Sequence, residues 1–263
     1  IADLGLGMVF MSLTFVVGAF LIGKRSLGSY KAAGKGFLQG AKDLSPSIII
    51  ILLAFSVKYI AENGNISYMG DNARMELYFP KKSNGQMVIV CPGGGYWITS
   101  SWNEGLYVAD WMLARGITVC VVEYRMPNGH WEIPLQDIQN AFRYCRAHAG
   151  EWGVNQIGVM GFSAGGHLAG TTSTKWTEQQ TRPDFSVLIY PVITMEKGFT
   201  HQGTREKLIT KKAEWKEHMA EVYSLETQVT RFTPPTFLAL CSDDFVVPAE
   251  NSLRYYNQLI NLD

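Results

Sequence analysis

The stretch Gly161-Phe162-Ser163-Ala164-Gly165-Gly166 could do nucleophilic chemistry. A serine hydroxyl attacks poorly at neutral pH until a base takes its proton, so residue type alone says little. Position says more. The apolar run QIGVM (156–160) leads straight into the glycines, and an Ala/Leu/Gly-rich segment follows. That is the strand–turn–helix setting in which G-x-S-x-G lifts a hydroxyl clear of a sheet. Gly161 and Gly165 leave room for the bend, and the helix after it aims its first amides at the same spot. As a bare pattern G-x-S-x-G is weak in a chain with 26 glycines, and a plain turn carrying an incidental serine is the alternative.

Two further stretches complete a possible acyl-transfer site. CPGGGYW (91–97) follows an apolar run and supplies three consecutive glycines, whose amides can approach a ligand closely. A tetrahedral intermediate needs such donors, which assigns the N–H groups of Gly94 and Gly95, with that of Ala164, to an oxyanion hole. Tyr96, Trp97 and Trp102 flank this turn and could line an acyl pocket, stack on a sugar ring or simply pack; Tyr96 and Trp97 are the pocket candidates. In LALCSDDFVVP (238–248), Asp243 or Asp244 stands just past a strand, where a carboxylate can orient an imidazole. The pair could instead mark a cation site.

Elements must hold these residues. ARMELYFP, GQMVIVCP, ITVCVVEYR, QIGVMG, FSVLIYP and PTFLALC read as strands, several of them continuous apolar runs of the kind buried in a central sheet. EGLYVADWMLARG, closed by Gly116, PLQDIQNAFRYCRAHAGEWG, started by Pro134, and AENSLRYYNQLINL read as helices. The alternation predicts an α/β fold, a mostly parallel sheet with helices on both faces. Residues 194–232 are polar and charged and read as a small helical cap inserted in the domain.

Residues 1–62 differ from the rest. GLGMVFMSLTFVVGAFLIG (5–23) is almost uninterrupted apolar sequence, long enough to cross a bilayer. A basic stretch follows, and SPSIIIILLAFSVKYIA (45–61) is a second apolar run interrupted by Lys58. These predict an apolar membrane hairpin, buried core helices being the alternative. The five basic residues between the runs would face the cytoplasm, leaving the following domain extracytoplasmic; without residues 1–62 in the natural protein it would be periplasmic or cytoplasmic. Position 1 is Ile, so the chain is expected to be a processed or partial form. With 23 basic and 23 acidic residues, no charged field points to nucleic acid. The four cysteines lack metal-knuckle spacing, three of them sitting within or ending apolar runs. No dinucleotide fingerprint, P-loop or zinc spacing occurs, so no cofactor and no metal are expected.

PGGGYW, VVEYRMP, PLQDIQNAFRYCRAHAGEWGVNQIGVMGFSAGGHLA and TPPTFLALCSDDFVVPAENSLRYY occur in that order. Together they resemble α/β-hydrolase esterases, and among them the bacterial acetyl-xylan-esterase and feruloyl-esterase-like enzymes related to prolyl oligopeptidases. The resemblance covers about residues 64–263. It implies a doubly wound sheet and a Ser–Asp–His triad acting on small ester groups, often acetyl groups on plant polysaccharides. It puts the acid on Asp244, through D-x-V-V-P, rather than on Asp243. GKGFLQGAKDLSPSIIIILLAF, in the first 62 residues, resembles a piece of a YfcC-type membrane transporter, which implies two joined gene fragments.

The base is the difficulty. In this fold the histidine follows the acid, yet His130, His148, His167, His201 and His218 all precede Asp244. His167, one helical turn after Ser163, points along its helix and suits packing. His148 and His218 suit exposed faces, His130 lies in a loop near the mouth, and His201 matches a family element near the site. The chain is therefore expected to be a C-terminally truncated esterase lacking its last strand and helix, inactive as it stands. A membrane-tethered pseudo-hydrolase or a prolyl-oligopeptidase-type peptidase are the alternatives.

Overall fold

Six residues, QMVIVC, form strand β2 (Gln86–Cys91), and all but the first are buried. Met87, Ile89 and Cys91 turn toward one side of the sheet and Val88 and Val90 toward the other, each side meeting its own apolar layer. A strand apolar on both faces belongs in a sheet covered twice. The computed structural model that shows this describes residues 73–209 and 213–262, all within the unit Met69–Asp263.

The six expected strands form one sheet in the order β1-β3-β2-β4-β5-β6, with β1 (Arg74–Tyr78), β3 (Thr118–Glu123), β4 (Gln156–Phe162), β5 (Ser186–Ile189) and β6 (Thr236–Ala239). Only β1 runs antiparallel, against β3; the other pairings are parallel. Their shared direction brings the segments after β2, β4, β5 and β6 to one edge. These segments carry the glycine turn, Ser163, Tyr190 and Asp244.

On one face, α1 (Tyr107–Leu113) buries Ala109 and Met112 against Val88, Val90, Val119 and Val121. On the other, α2 (Glu132–His148), α3 (Ser163–Thr174) and α6 (Glu250–Ile260) bring Ile138, Phe142, Leu168 and Tyr255 onto Ile89, Cys120 and Val159. This is a doubly wound α/β-hydrolase architecture. Gly116, at φ 79°, ends α1 as expected. The helix is preceded by a π-helical turn, Trp102–Leu106, that the apolar pattern does not reveal. Helix α2 begins two residues before Pro134, because proline fits the first turn, where its missing N–H has no partner to lose. Residues 194–232 contain α4 (Gln202–Leu208) and α5 (Ala213–Tyr223).

The expected membrane hairpin, 5–23 and 45–61, lies outside the described residues. Among the described residues no helix is long and apolar enough to cross a membrane. Cys91, Cys120 and Cys145 are buried, Cys145 in α2 as expected, whereas Cys241, which ends the apolar run PTFLALC, lies past β6 and is exposed; all four are free.

Candidate active site

Strand β4 ends at Phe162 in extended conformation, and the chain then turns through Ser163 at φ 51° directly into α3. A non-glycine residue in the left-handed region costs on the order of 1 kcal/mol and is held there by its surroundings. Here the holding contacts are visible. The Ser163 carbonyl accepts from the Val192 amide at 3.0 Å. Two residues on, Gly165 presses against the turn after β2, where a Cβ would collide with the Cys91 and Pro92 carbonyls.

The triple-glycine turn lies alongside, because Cys91 and Gly161 are register partners in β2 and β4. A Cβ on Gly93 would stand 3.1 Å from that of Ser163. The turn bends through Gly94 at φ 134°, Gly95 at φ 65° and Tyr96 at φ 59°. It is pinned from several sides: the Tyr124 hydroxyl donates to the Pro92 carbonyl at 2.6 Å, the Ser100 amide to the Gly93 carbonyl at 2.8 Å, and the Trp97 amide to the Gly94 carbonyl at 3.0 Å. Among the described residues the N–H groups of Gly94, Gly95 and Ala164 have no protein acceptor.

Tyr96 does not line a pocket. Its left-handed backbone turns the ring inward to 1% exposure, edge-on to Tyr124, with its hydroxyl 3.1 Å from His167 Nδ1. Of the two aromatics expected at the pocket, only Trp97 is exposed, at 54%. The Lys207 ammonium lies 3.4 Å from the centre of its ring, a cation–π contact that ties the turn to α4. Trp102 is exposed too, edge-on to Tyr107.

The histidines separate cleanly. His167 is fully buried: Nε2–H donates to the Tyr223 carbonyl at 2.8 Å and Nδ1 accepts from Tyr96, so neither nitrogen is free for Ser163. Burial pushes its pKa down to about 4, leaving it neutral. His201 caps α4, its Nδ1 accepting from the Thr204 amide at 3.3 Å, and its ring lies beside Gly95; burial lowers its pKa. His148 stacks on Trp152 on the exposed side of α2, and His130, exposed, lies 3.6 Å from Glu132. His218 is exposed on α5.

Asp244 stands past β6, with one carboxylate oxygen accepting from the amides of Val246 at 2.8 Å and Val247 at 2.9 Å. None of the described histidines bonds it. Asp243 is engaged locally, accepting from the Cys241 thiol at 2.8 Å, which holds its carboxyl below the usual range. Among the described residues no three His, Cys, Asp or Glu side chains gather as metal ligands would.

Two residues at this edge were not readable as site residues. Glu104, on the π-helical turn, accepts from the Gly93 amide at 2.6 Å and from the Tyr190 hydroxyl at 2.8 Å. Burial raises its pKa, opposed by these two bonds. Tyr190 has φ 36°, and its phenol is held protonated by burial, by the Glu104 charge and more weakly by that of Asp244. Arg125, whose guanidinium and amide both bond the buried Asp137 carboxylate, joins the end of β3 to the start of α2.

The BD-FAE family model matches residues 75–259. An acetylxylan esterase of Xylanibacter ruminicola is 36% identical over 193 residues, covering 72% of this chain and 40% of that protein. Endo-1,4-beta-xylanase B of Butyrivibrio fibrisolvens is 33% identical over 188 residues, 65% of this chain and 29% of that one. The chain thus spans well under half the length of either relative. The solved structure of an acetyl ester-xyloside bifunctional hydrolase from Caldicellulosiruptor lactoaceticus superposes with a TM-score of 0.63 at 33% identity, covering 76% of this chain and 79% of that one. The transporter resemblance within residues 1–62 is not borne out by these comparisons. With a matching family model over most of the domain and an α/β-hydrolase sheet carrying the serine turn, this chain belongs to the BD-FAE family.

Proposed function

We propose that the protein is a serine carboxylic-ester hydrolase that deacetylates a plant polysaccharide such as acetylated xylan. Ser163 Oγ attacks the ester carbonyl carbon while a base accepts its proton. The carbonyl oxygen becomes an oxyanion received by the amides of Gly94, Gly95 and Ala164. Collapse expels the sugar alcohol, which takes the proton back, and water then repeats the sequence on the acyl-enzyme. Asp244 orients the imidazole and stabilises its cationic form. The exposed indole of Trp97 gives a sugar ring a face to rest on.

The observation that carries this reading is the strained Ser163 backbone set against a turn whose Gly94 and Gly95 amides have no protein acceptor among the described residues. The polysaccharide is suggested by the names of the relatives that match. His130, His148, His167 and His201 make their polar contacts with groups other than Asp244 and Ser163, and on this reading the base is none of the five histidines. The chain alone is expected to turn over little, since loss of a triad member costs around 10⁶ in kcat.

The test uses the full-length protein with p-nitrophenyl acetate and acetylated xylan. Acetate release that disappears in Ser163→Ala supports the reading. Release that survives the substitution discards it.

A further inference from the structure

The first amide of the triple-glycine turn is held by a residue outside the expected triad and oxyanion donors. Three consecutive glycines present three N–H groups, and a carboxylate takes the first. Glu104 Oε2 accepts from Gly93 at 2.6 Å, while its Oε1 accepts from Tyr190 at 2.8 Å. The same Oε2 stands 2.7 Å from where a Cβ on Gly93 would be, and the Ser163 Cβ 3.1 Å from that same point. Glu104 thus contacts the nucleophile's immediate neighbour.

Its supports are unusual in the same way. Glu104 sits on a π-helical turn, a departure from α geometry often found at functional sites. Tyr190 has the left-handed φ noted above and is fixed by its own amide, which donates to the Ala239 carbonyl at 2.6 Å. Two costly backbone features meet at one carboxyl group, and that group holds one backbone atom of the turn.

We propose that Glu104 is a positioning residue for acyl transfer: by engaging Gly93 N–H and Tyr190 O–H it fixes the glycine turn so that the amides of Gly94 and Gly95 are the ones presented at Ser163. This rests on the esterase reading above. Geometry that serves only the developing oxyanion should appear in kcat and leave KM alone.

The experiment is a kinetic series on the full-length protein with p-nitrophenyl acetate. Glu104→Ala should lower kcat by about 10²-fold, the scale of a lost oxyanion donor, with KM within about twofold. Glu104→Gln should retain kcat within about tenfold, since its carbonyl can accept from Gly93 and its amide can donate to the Tyr190 oxygen. A merely structural carboxylate would not give that split or that rescue. Glu104→Ala with parental kcat, or Glu104→Gln as slow as Glu104→Ala, overturns the proposal. Ser163→Ala in the same series judges the esterase reading separately. Should turnover survive that change, amide hydrogen exchange decides: faster exchange at residues 93–96 in Glu104→Ala upholds the pin, and unchanged exchange removes it.

Discussion

Gly93 and Ser163 stand side by side at the carboxyl edge of the sheet, so close that a Cβ on the glycine would lie 3.1 Å from that of the serine. The contact follows from strand pairing, since the two turns leave adjacent parallel strands at register partners Cys91 and Gly161. The glycine turn and Ser163 are therefore neighbours by strand pairing alone, the arrangement that the proposed acyl-transfer site needs in order to avoid reorganisation during reaction.

Strain at Ser163 gives a prediction in which stability and activity move in opposite directions. The residue sits at φ 51°, and its hydroxyl makes no hydrogen bond within the described residues. Ser163→Gly relieves the left-handed penalty and should stabilise the fold by about 1 kcal/mol, partly offset by the extra freedom of glycine in the unfolded chain. Urea unfolding reads the gain; a midpoint below that of the parent contradicts it.

Among the described residues the Tyr124 hydroxyl is the one donor to the buried Pro92 carbonyl. Tyr124→Phe leaves that oxygen desolvated and unpaired, at a cost of about 1–3 kcal/mol. The expected result is a lowered urea midpoint together with a slower kcat, because the glycine turn starts at this residue. Parental stability in the variant would show that the bond contributes nothing.

Asn251, fully buried, joins the start of α6 to the segment after β5. Its carbonyl accepts from the amides of Ile193 and Thr194, and its amide donates to the carbonyls of Phe199 and Pro248. Asn251→Ala should cost roughly 3 kcal/mol, because several buried backbone groups lose their partners at once. Asn251→Asp keeps the acceptor and loses the donor, so it should fall between the two. A change below 1 kcal/mol for Asn251→Ala contradicts this.

His167 makes stability depend on pH. The folded protein holds it at about 4, against an ordinary value near 6.5. Between those values the unfolded chain binds a proton that the folded one refuses, so stability is intact above pH 6.5 and falls as pH drops toward 4. The slope is about 1.4 kcal/mol per pH unit for this one group. Unfolding midpoints measured between pH 7 and 4 should decline less steeply in His167→Gln than in the parent by about that amount. Equal slopes would mean the imidazole is not held neutral.

The sheet and the serine turn were legible because their signals are local. Runs such as QMVIVC and QIGVMGF need no partner to declare themselves as buried strands, and three glycines after one of them already restrict what the turn can do. The Glu104–Tyr190 pairing joins residues 86 apart in sequence and depends on a π-helical turn, whereas the sequence around Glu104 looks like an ordinary amphipathic helix. Tyr96 was misread for a similar reason. An aromatic beside a glycine turn looks available, and only its φ of 59° shows that the ring goes inward to meet His167. The Lys207–Trp97 contact is equally unreadable, because it needs α4 folded back over the turn.

The most direct test is covalent labelling of the full-length protein with a fluorophosphonate probe, followed by peptide mapping. Attack by an activated serine should place a single adduct on the peptide containing Ser163, at a rate that Glu104→Ala reduces and Ser163→Ala abolishes. Ester turnover in a sample whose Ser163 stays unlabelled, or an adduct formed on another serine, would contradict the account.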